Sequence, residues 1–256
     1  MDKLNEFIVD NLTVKVYKTR QSMGLEAAKE IRSLIKRLLS QKEEINMIFA
    51  AAPSQNEFLA ALLADKEIVW ERVNAFHMDE YIGLDQDALQ GFGNFLRDRL
   101  FEVVHFKSVH YLQGNASDAE DECRRYSALL KSHKIDIVCM GIGENGHIAF
   151  NDPHVAHFND EKLVKVVELD EMCRMQQVND GCFESIDQVP TQALTLTIPA
   201  LMSGNTIFCI VPAKTKAQAV LNTTKGDIEE ACPASILRNH GNAILYLDND
   251  SGSLIL

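Results

Sequence analysis

Two stretches of this chain run from a buried-looking apolar segment straight into reactive groups: Phe76-His77-Met78-Asp79-Glu80-Tyr81-Ile82-Gly83-Leu84 and Gly141-Ile142-Gly143-Glu144-Asn145-Gly146-His147-Ile148-Ala149-Phe150-Asn151-Asp152-Pro153. A carboxylate such as Asp79 suits proton shuttling between adjacent carbons. An imidazole such as His147 suits reversible proton transfer near neutral pH, because its unperturbed pKa of ~6.5 moves easily with a neighbouring charge. Asp152 is placed to orient His147, and Asn145 to hold a substrate hydroxyl. A core has little reason to gather Glu144, Asn145, His147, Asn151 and Asp152 in one turn, since each buried polar group needs a partner. The turn therefore reads as a site. The bland alternative for Asp79-Glu80 is a solvated pair at a strand end.

Two rival chemistries fit less well. Gly141-Ile142-Gly143-Glu144-Asn145-Gly146 satisfies the dinucleotide pattern G-x-G-x-x-G after an expected strand. In that motif the glycines open a long helix, whereas Asn151-Asp152-Pro153 cuts the segment short, because proline cannot donate inside a helix and disfavours a helical residue before it. A zinc site from His147, His154, His157 and Asp152 matches no closed structural zinc spacing and lacks the His-Glu-x-x-His helix. The expectation is a site with no organic cofactor and no metal.

The elements that must carry these groups alternate. Apolar positions from Leu25 to Leu39 predict a helix over roughly Met23–Gln41 with Ser22 as N-cap, followed by a strand at Ile45–Ala51. A helix from Ser54 to Asp65 and a strand from Val69 to Met78 deliver Asp79. Ser117 with Glu120 fits a capping box before a helix running to about Lys131, and Ile135–Met140 is a strand ending at the glycines. Further strands are expected at Leu163–Leu169, Ala193–Ile198, Thr206–Val211 and Ala243–Leu247, with helices near Lys214–Thr223 and Pro233–Arg238. Strands apolar on both faces predict an α/β fold of three layers, α/β/α, around a mostly parallel, Rossmann-like sheet. With 256 residues and no composition break, residues 1–256 read as one domain.

A net charge of -12 opposes nucleic acid or anionic membranes as general partners, so an anionic ligand must be held by specific donors. The N-terminus lacks the pattern of a signal peptide, and no apolar stretch reaches the ~18 residues of a membrane span. The six cysteines are scattered without a Cys-x-x-Cys, as in a reduced cytoplasmic protein. The apolar Ser-Leu-Ile-Leu end leaves little room for a C-terminal extension, which suggests simple saturation kinetics. Self-association into a homo-oligomer is left open.

His-Met-Asp-Glu-Tyr-Ile-Gly-Leu at 77–84 and Gly-Ile-Gly-Glu-Asn-Gly-His-Ile-Ala-Phe-Asn-Asp-Pro at 141–153 make the chain similar to the glucosamine-6-phosphate deaminase/isomerase family, whose fold 6-phosphogluconolactonases share. The likeness extends through Gly114-Asn115-Ala116, Cys123-Arg124-Arg125-Tyr126, Ser185-Ile186-Asp187-Gln188-Val189-Pro190 and Lys214-Thr215-Lys216-Ala217. It implies conversion of an amino-sugar phosphate to fructose 6-phosphate and ammonia without a cofactor. His147 would assist ring opening with Asn145 and Asp152 in support, and Asp79 would move the C2 proton to C1. Lys216 matches the family's phosphate-binding lysine, and Glu80 joins the substrate-side residues. A lactone hydrolase or a non-catalytic sugar-phosphate sensor are the alternatives.

Departures concentrate at the phosphate end. The family's Thr-Gly-Gly-Thr-Pro becomes Ala51-Ala52-Pro53-Ser54-Gln55, which removes two glycines and, at Pro53, an N–H donor. Ser54 keeps a hydroxyl, and Ala51 and Ala52 remain expected lining. No arginine falls where the family's phosphate-contacting arginine lies; Arg174 is the substitute from the same segment. Asp152 stands where the family usually has Glu, which shortens the reach to His147 by roughly 1 Å.

Overall fold

The computed structural model describes residues 2–256, and in it the apolar runs become strands whose side chains alternate between two cores. The chain opens with a hairpin, β1 (Lys3–Val9) and β2 (Leu12–Tyr17), then α1 (Arg20–Leu39), β3 (Ile45–Phe49), α2 (Asn56–Leu63), β4 (Val73–His77) and β5 (Asp79–Tyr81). α3 (Phe92–Leu96), β6 (Ser108–His110), α4 (Ala119–Ser132), β7 (Ile137–Met140) and β8 (Val164–Glu168) follow. The last elements are α5 (Glu171–Asn179), β9 (Gln192–Leu196), α6 (Ile198–Met202), β10 (Thr206–Val211), α7 (Ala217–Lys225) and β11 (Ala243–Asp248).

Eight strands form one sheet in the order β1-β2-β11-β10-β7-β3-β4-β6, parallel throughout except where β1 meets β2. Ile137 and Cys139 of β7 face the core under α1 and α2, while Val138 and Met140 face the core under α4, α6 and α7. Helices thus cover both faces, and the expected three-layer α/β/α arrangement holds. From β3 the chain winds outward through β4 and β6. From β7 it winds the other way through β10 and β11, so the direction reverses between β3 and β7. Loops leaving neighbouring strands diverge at such a point and open a crevice at the carboxyl edge.

A second, antiparallel sheet of order β5-β9-β8 begins where β4 stops. The Leu196 amide donates to the Met78 carbonyl at 2.8 Å, turning the chain from one sheet into the other. The single strand expected over Val69–Met78 is therefore a short 3-10 turn at Trp70–Arg72 and β4, and Asp79 starts a separate strand.

Local signals moved by a few residues. α1 starts at Arg20 because Thr19 is the N-cap, and Ser22, expected in that role, is its partner three residues on. Asp118, not Ser117, caps α4, accepting from the amides of Glu120 and Asp121. Pro53–Gln55 is a 3-10 turn ahead of α2, as are Lys214–Lys216 ahead of α7, while Pro233–Asn239 is 3-10 throughout. The hairpin, α3, β6, α5 and α6 were not foreseen, and the strand expected to run to Ile198 stops at Leu196. No helix among the described residues is long and apolar enough to cross a membrane.

α1 and α2 cross at Gly24, where a β-carbon would lie 2.9 Å from both the Glu57 Cβ and the Phe58 amide nitrogen. Gly24→Ala is therefore expected to destabilise the protein by about 1–2 kcal/mol, because overpacking against rigid backbone outweighs alanine's helix preference of roughly 1 kcal/mol. Urea unfolding of the two proteins measures it, and an unchanged or raised midpoint would contradict this packing.

Candidate active site

The crevice predicted by the winding reversal is a cleft of about 770 Å³, counting its open mouth. β3 contributes Ala51, Ala52, Pro53 and Ser54 from its carboxyl end, β7 contributes Gly141 to Gly143 and His147, and β10 contributes Pro212, Ala213 and Lys216. Asp79 enters from the start of β5. Phe92 and Phe150 line the cleft beside it, stacked 5.3 Å apart, with Tyr81 packed behind both. Of the residues expected from sequence, Ala51, Ala52, Ser54, Asp79, His147 and Lys216 line this one cleft.

Asp79 is almost wholly buried, and that burial, reinforced by the neighbouring Glu80 charge, pushes its carboxyl well above the usual aspartate range. A carboxylate raised in this way is a stronger base when ionised, which suits abstraction of a carbon-bound proton.

Glu80 points the other way, as the next residue of a strand must. Its carboxylate accepts the amides of Tyr81 at 2.9 Å, Phe92 at 3.0 Å and Gly93 at 2.7 Å, fastening the start of α3. Glu80 is outside the cleft, which corrects its expected place among the substrate-side residues.

His147 lies flat against Gly143, where a β-carbon would sit 2.1 Å from the ring. The glycine thus makes room for the imidazole. Its G-x-G-x-x-G pattern has no helix behind it, since an irregular segment runs on past Pro153. His147 Nδ1 is 3.0 Å from Asp152 Oδ1, with the ring N–H canted off the line between them. The shorter acid still comes within 3.0 Å of the histidine, and the off-line N–H agrees with the weaker hydrogen bond expected from Asp in place of Glu.

Asp152 has no solvent exposure. Burial works to raise its carboxyl, but contacts from the His147 ring, the Asn145 amide and the Asp170 N–H outweigh it and hold the group below its ordinary value. Asn145 Nδ2 donates to Asp152 at 2.9 Å and to Asp170 at 3.1 Å, while its Oδ1 accepts the His147 amide at 3.0 Å. The Asn145 side chain is therefore spent inside the protein, which corrects its expected hold on a substrate hydroxyl. Asp170, the N-cap of α5, was not foreseen, because it lies far along the chain from the motif it supports.

Ligand-capable atoms of His147, Asp152 and Cys173 lie within 4.8 Å of one another, as do those of Asp152, His154 and Asp170. Burial pushes the Cys173 thiol well up, so that it is a protonated neighbour of Asp152. His157 belongs to neither group and faces Glu230 at 3.8 Å.

At the far end, Lys216 is buried, its Nζ has no hydrogen-bond partner, and Glu144 Oε1 is 3.9 Å away. Burial lowers its pKa against the pull of Asp180 and Glu144. Gln176, Gln177, Asp180 and Arg20 also line the cleft and were not foreseen as site residues; the first three fall where the chain departs from the family pattern. Arg174 is elsewhere, donating to the carbonyls of Ile186 at 2.7 Å and Val189 at 2.9 Å, so it does not supply the missing cation. Among the described residues, two of the three non-glycine residues at positive φ, Ala149 and Ala213, line the cleft, as strained backbone at sites often does.

A parallel sheet with a basic carboxylate and a carboxylate-oriented histidine in one cleft at its winding reversal describes an enzyme of acid–base chemistry. The chain belongs to the family of glucosamine-6-phosphate isomerases and 6-phosphogluconolactonases, whose sequence model matches residues 18–246. It is 37% identical to a glucosamine-6-phosphate deaminase of Listeria innocua over 83% of this chain and 88% of that protein. It is 33% identical to the deaminase of Bacillus thuringiensis over 95% of this chain and 89% of that one. Among solved structures, a monomeric glucosamine-6-phosphate deaminase matches with a TM-score of 0.85 and 31% identity, covering 94% of this chain and 99% of its own. A 6-phosphogluconolactonase from Thermotoga maritima, at TM-score 0.75 and 19% identity over 93% of this chain and 99% of its own, shares the fold.

Because the native protein binds the Asp79 proton more tightly than the unfolded chain does, this group subtracts stability as pH rises from about 4 through its raised folded-state pKa. Asp79→Asn is thus expected to raise the melting temperature, and to raise it more at pH 8 than at pH 5. Thermal melts at the two pH values test this; a gain that is equal at both or larger at pH 5 would count against a raised Asp79.

Proposed function

We propose that this protein is a glucosamine-6-phosphate deaminase, converting an amino-sugar phosphate and water to fructose 6-phosphate and ammonia. The observation that carries this reading is the placement of Asp79 and His147 in one cleft, the first made basic by burial and the second held by Asp152. His147 moves a proton at the ring oxygen as the pyranose opens, and Asp152 and Asn145 hold it in position. Asp79 takes the proton from C2 of the open aldose while the C1 oxygen takes one up, passing through an enediol-type intermediate with the amino group on C2, and returns its proton to C1 as the C2 nitrogen gives one up. The nitrogen at C2 is then an imine, which water hydrolyses to the ketone with release of ammonia. Ser54, Lys216 and the backbone at Ala51 and Ala52 serve the phosphate end. The six unpaired cysteines support a cytoplasmic location.

The test is release of ammonia and fructose 6-phosphate from glucosamine 6-phosphate, with galactosamine 6-phosphate alongside and His147→Gln as the blank. Turnover that falls by at least about 100-fold in the variant is expected, since general acid–base groups contribute roughly that much or more. Binding without any product would instead favour a sensor, and hydrolysis of 6-phosphogluconolactone would favour the lactonase alternative.

Asp152→Glu, which restores the residue usual in the family, is expected to lower both kcat and the melting temperature. Asp152 is fully buried and its carboxylate already lies 3.0 Å from His147 Nδ1, so an added methylene displaces the imidazole. A drop in kcat of about tenfold or more is anticipated from displacements below 1 Å. An equal or faster rate would show that Asp152 holds the histidine poorly.

A further inference from the structure

The phosphate end presents a charge problem. The loop at 51–55 has exchanged two glycines for Ala52 and Pro53, and no arginine comes from the segment 176–183. Asp180 of that segment instead brings a carboxylate to the cleft wall, so Lys216 alone would leave this end close to neutral. A phosphate dianion needs more positive charge than that.

Among the described residues, Arg20 is the one arginine lining the cleft. It is the first residue of α1, and its guanidinium is anchored to the altered loop. Nη2 donates to the Pro53 carbonyl at 3.2 Å and to Glu57 Oε2 at 2.9 Å, and Nε pairs with Glu57 Oε1 at 2.7 Å with its N–H bent off that oxygen. Nη1 makes no hydrogen bond within the described residues, and the side chain is 41% exposed. Glu57, outside the cleft, and the Pro53 carbonyl thus hold Nε and Nη2, while Nη1 stays free. Lys216, buried and with no hydrogen-bond partner on Nζ, lines the same cleft. A guanidinium fixed in place with Nη1 free and an unsatisfied ammonium suit an anion with several oxygens.

We propose that Arg20 is the specificity-determining cation of this cleft, gripping the substrate phosphate together with Lys216 and Ser54 in place of the arginine that the family takes from elsewhere. This inference rests on the deaminase reading for the identity of the substrate. The anion grip itself is independent of turnover. Arg20 acts on binding and leaves proton transfer at Asp79 and His147 untouched.

The experiment compares wild type, Arg20→Gln, Arg20→Lys and the double variant Arg20→Gln/Glu57→Gln, which removes both charges so that Glu57 is not left unpaired. Thermal stabilisation by inorganic phosphate is measured, together with KM and kcat for glucosamine 6-phosphate and for unphosphorylated glucosamine. Expected are roughly 10–100-fold weaker phosphate binding and a matching rise in KM for the phosphorylated sugar in both glutamine variants, the range for hydrogen bonds to a charged group. In these variants kcat stays within about threefold, any activity on glucosamine is unchanged, and lysine recovers part of the loss as a point charge without the fork. Phosphate binding and KM at wild-type values in the double variant, an equal loss on glucosamine, or no stabilisation of wild type by millimolar phosphate would overturn the proposal. Arg20-dependent phosphate binding in a protein that releases no ammonia from any hexosamine phosphate would sink the deaminase reading and leave Arg20's role standing.

Discussion

Asp152 holds a negative charge with no access to water, and such a charge persists only where protein donors replace the solvent. The His147 ring, Asn145 Nδ2 and the Asp170 amide meet that requirement. Those three groups come from the loop after β7 and from the start of α5, so satisfying one carboxylate ties the glycine turn to a helix that begins well after it. The same contacts fix the imidazole, for His147 cannot leave its place against Gly143 without abandoning Asp152. Local geometry, electrostatics and the reacting group are here one arrangement.

The two ends of the cleft follow different rules. At the proton-transfer end the surroundings are apolar rings and buried backbone, and their effect is to make a carboxylate reluctant to ionise. At the far end the protein places charges of both signs: Lys216 with Glu144, Arg20 with Glu57, and Asp180 in the cleft wall at the end of α5. Neutralising each cation in part keeps the empty cleft tolerable in a protein of net charge -12, while donors remain for an incoming anion.

The proton-transfer end was legible in the sequence because its residues lie in two contiguous strand-to-loop segments, where a change from apolar to polar marks the sheet edge. The main sheet was legible for the same reason, its strands being apolar on both faces. The small sheet was not: β5 is three residues long and has no pattern of its own, and only pairing with the distant β9 makes it a strand. The β1-β2 hairpin lies in charged, largely exposed sequence at β1, and α5 is polar, with burial that arises from its neighbours. Arg20 and Asp170 carry no local signal because each reaches the site through tertiary packing from an otherwise ordinary helix start, and Gln176 does so from within α5. Glu80 was misjudged because adjacency in sequence suggested a shared role, whereas a strand sends consecutive residues to opposite sides.

That last feature bears on how the chain can vary over evolution. Asp79 and Glu80 divide two duties, one facing the cleft and one fastening α3, and only strand parity assigns which acid performs which. A point substitution at either position damages one duty. Deletion of Met78 alone would shift the parity, putting the longer acid in the cleft and turning the shorter one to the opposite face. The spacing of this segment is therefore under as strict a constraint as its residues.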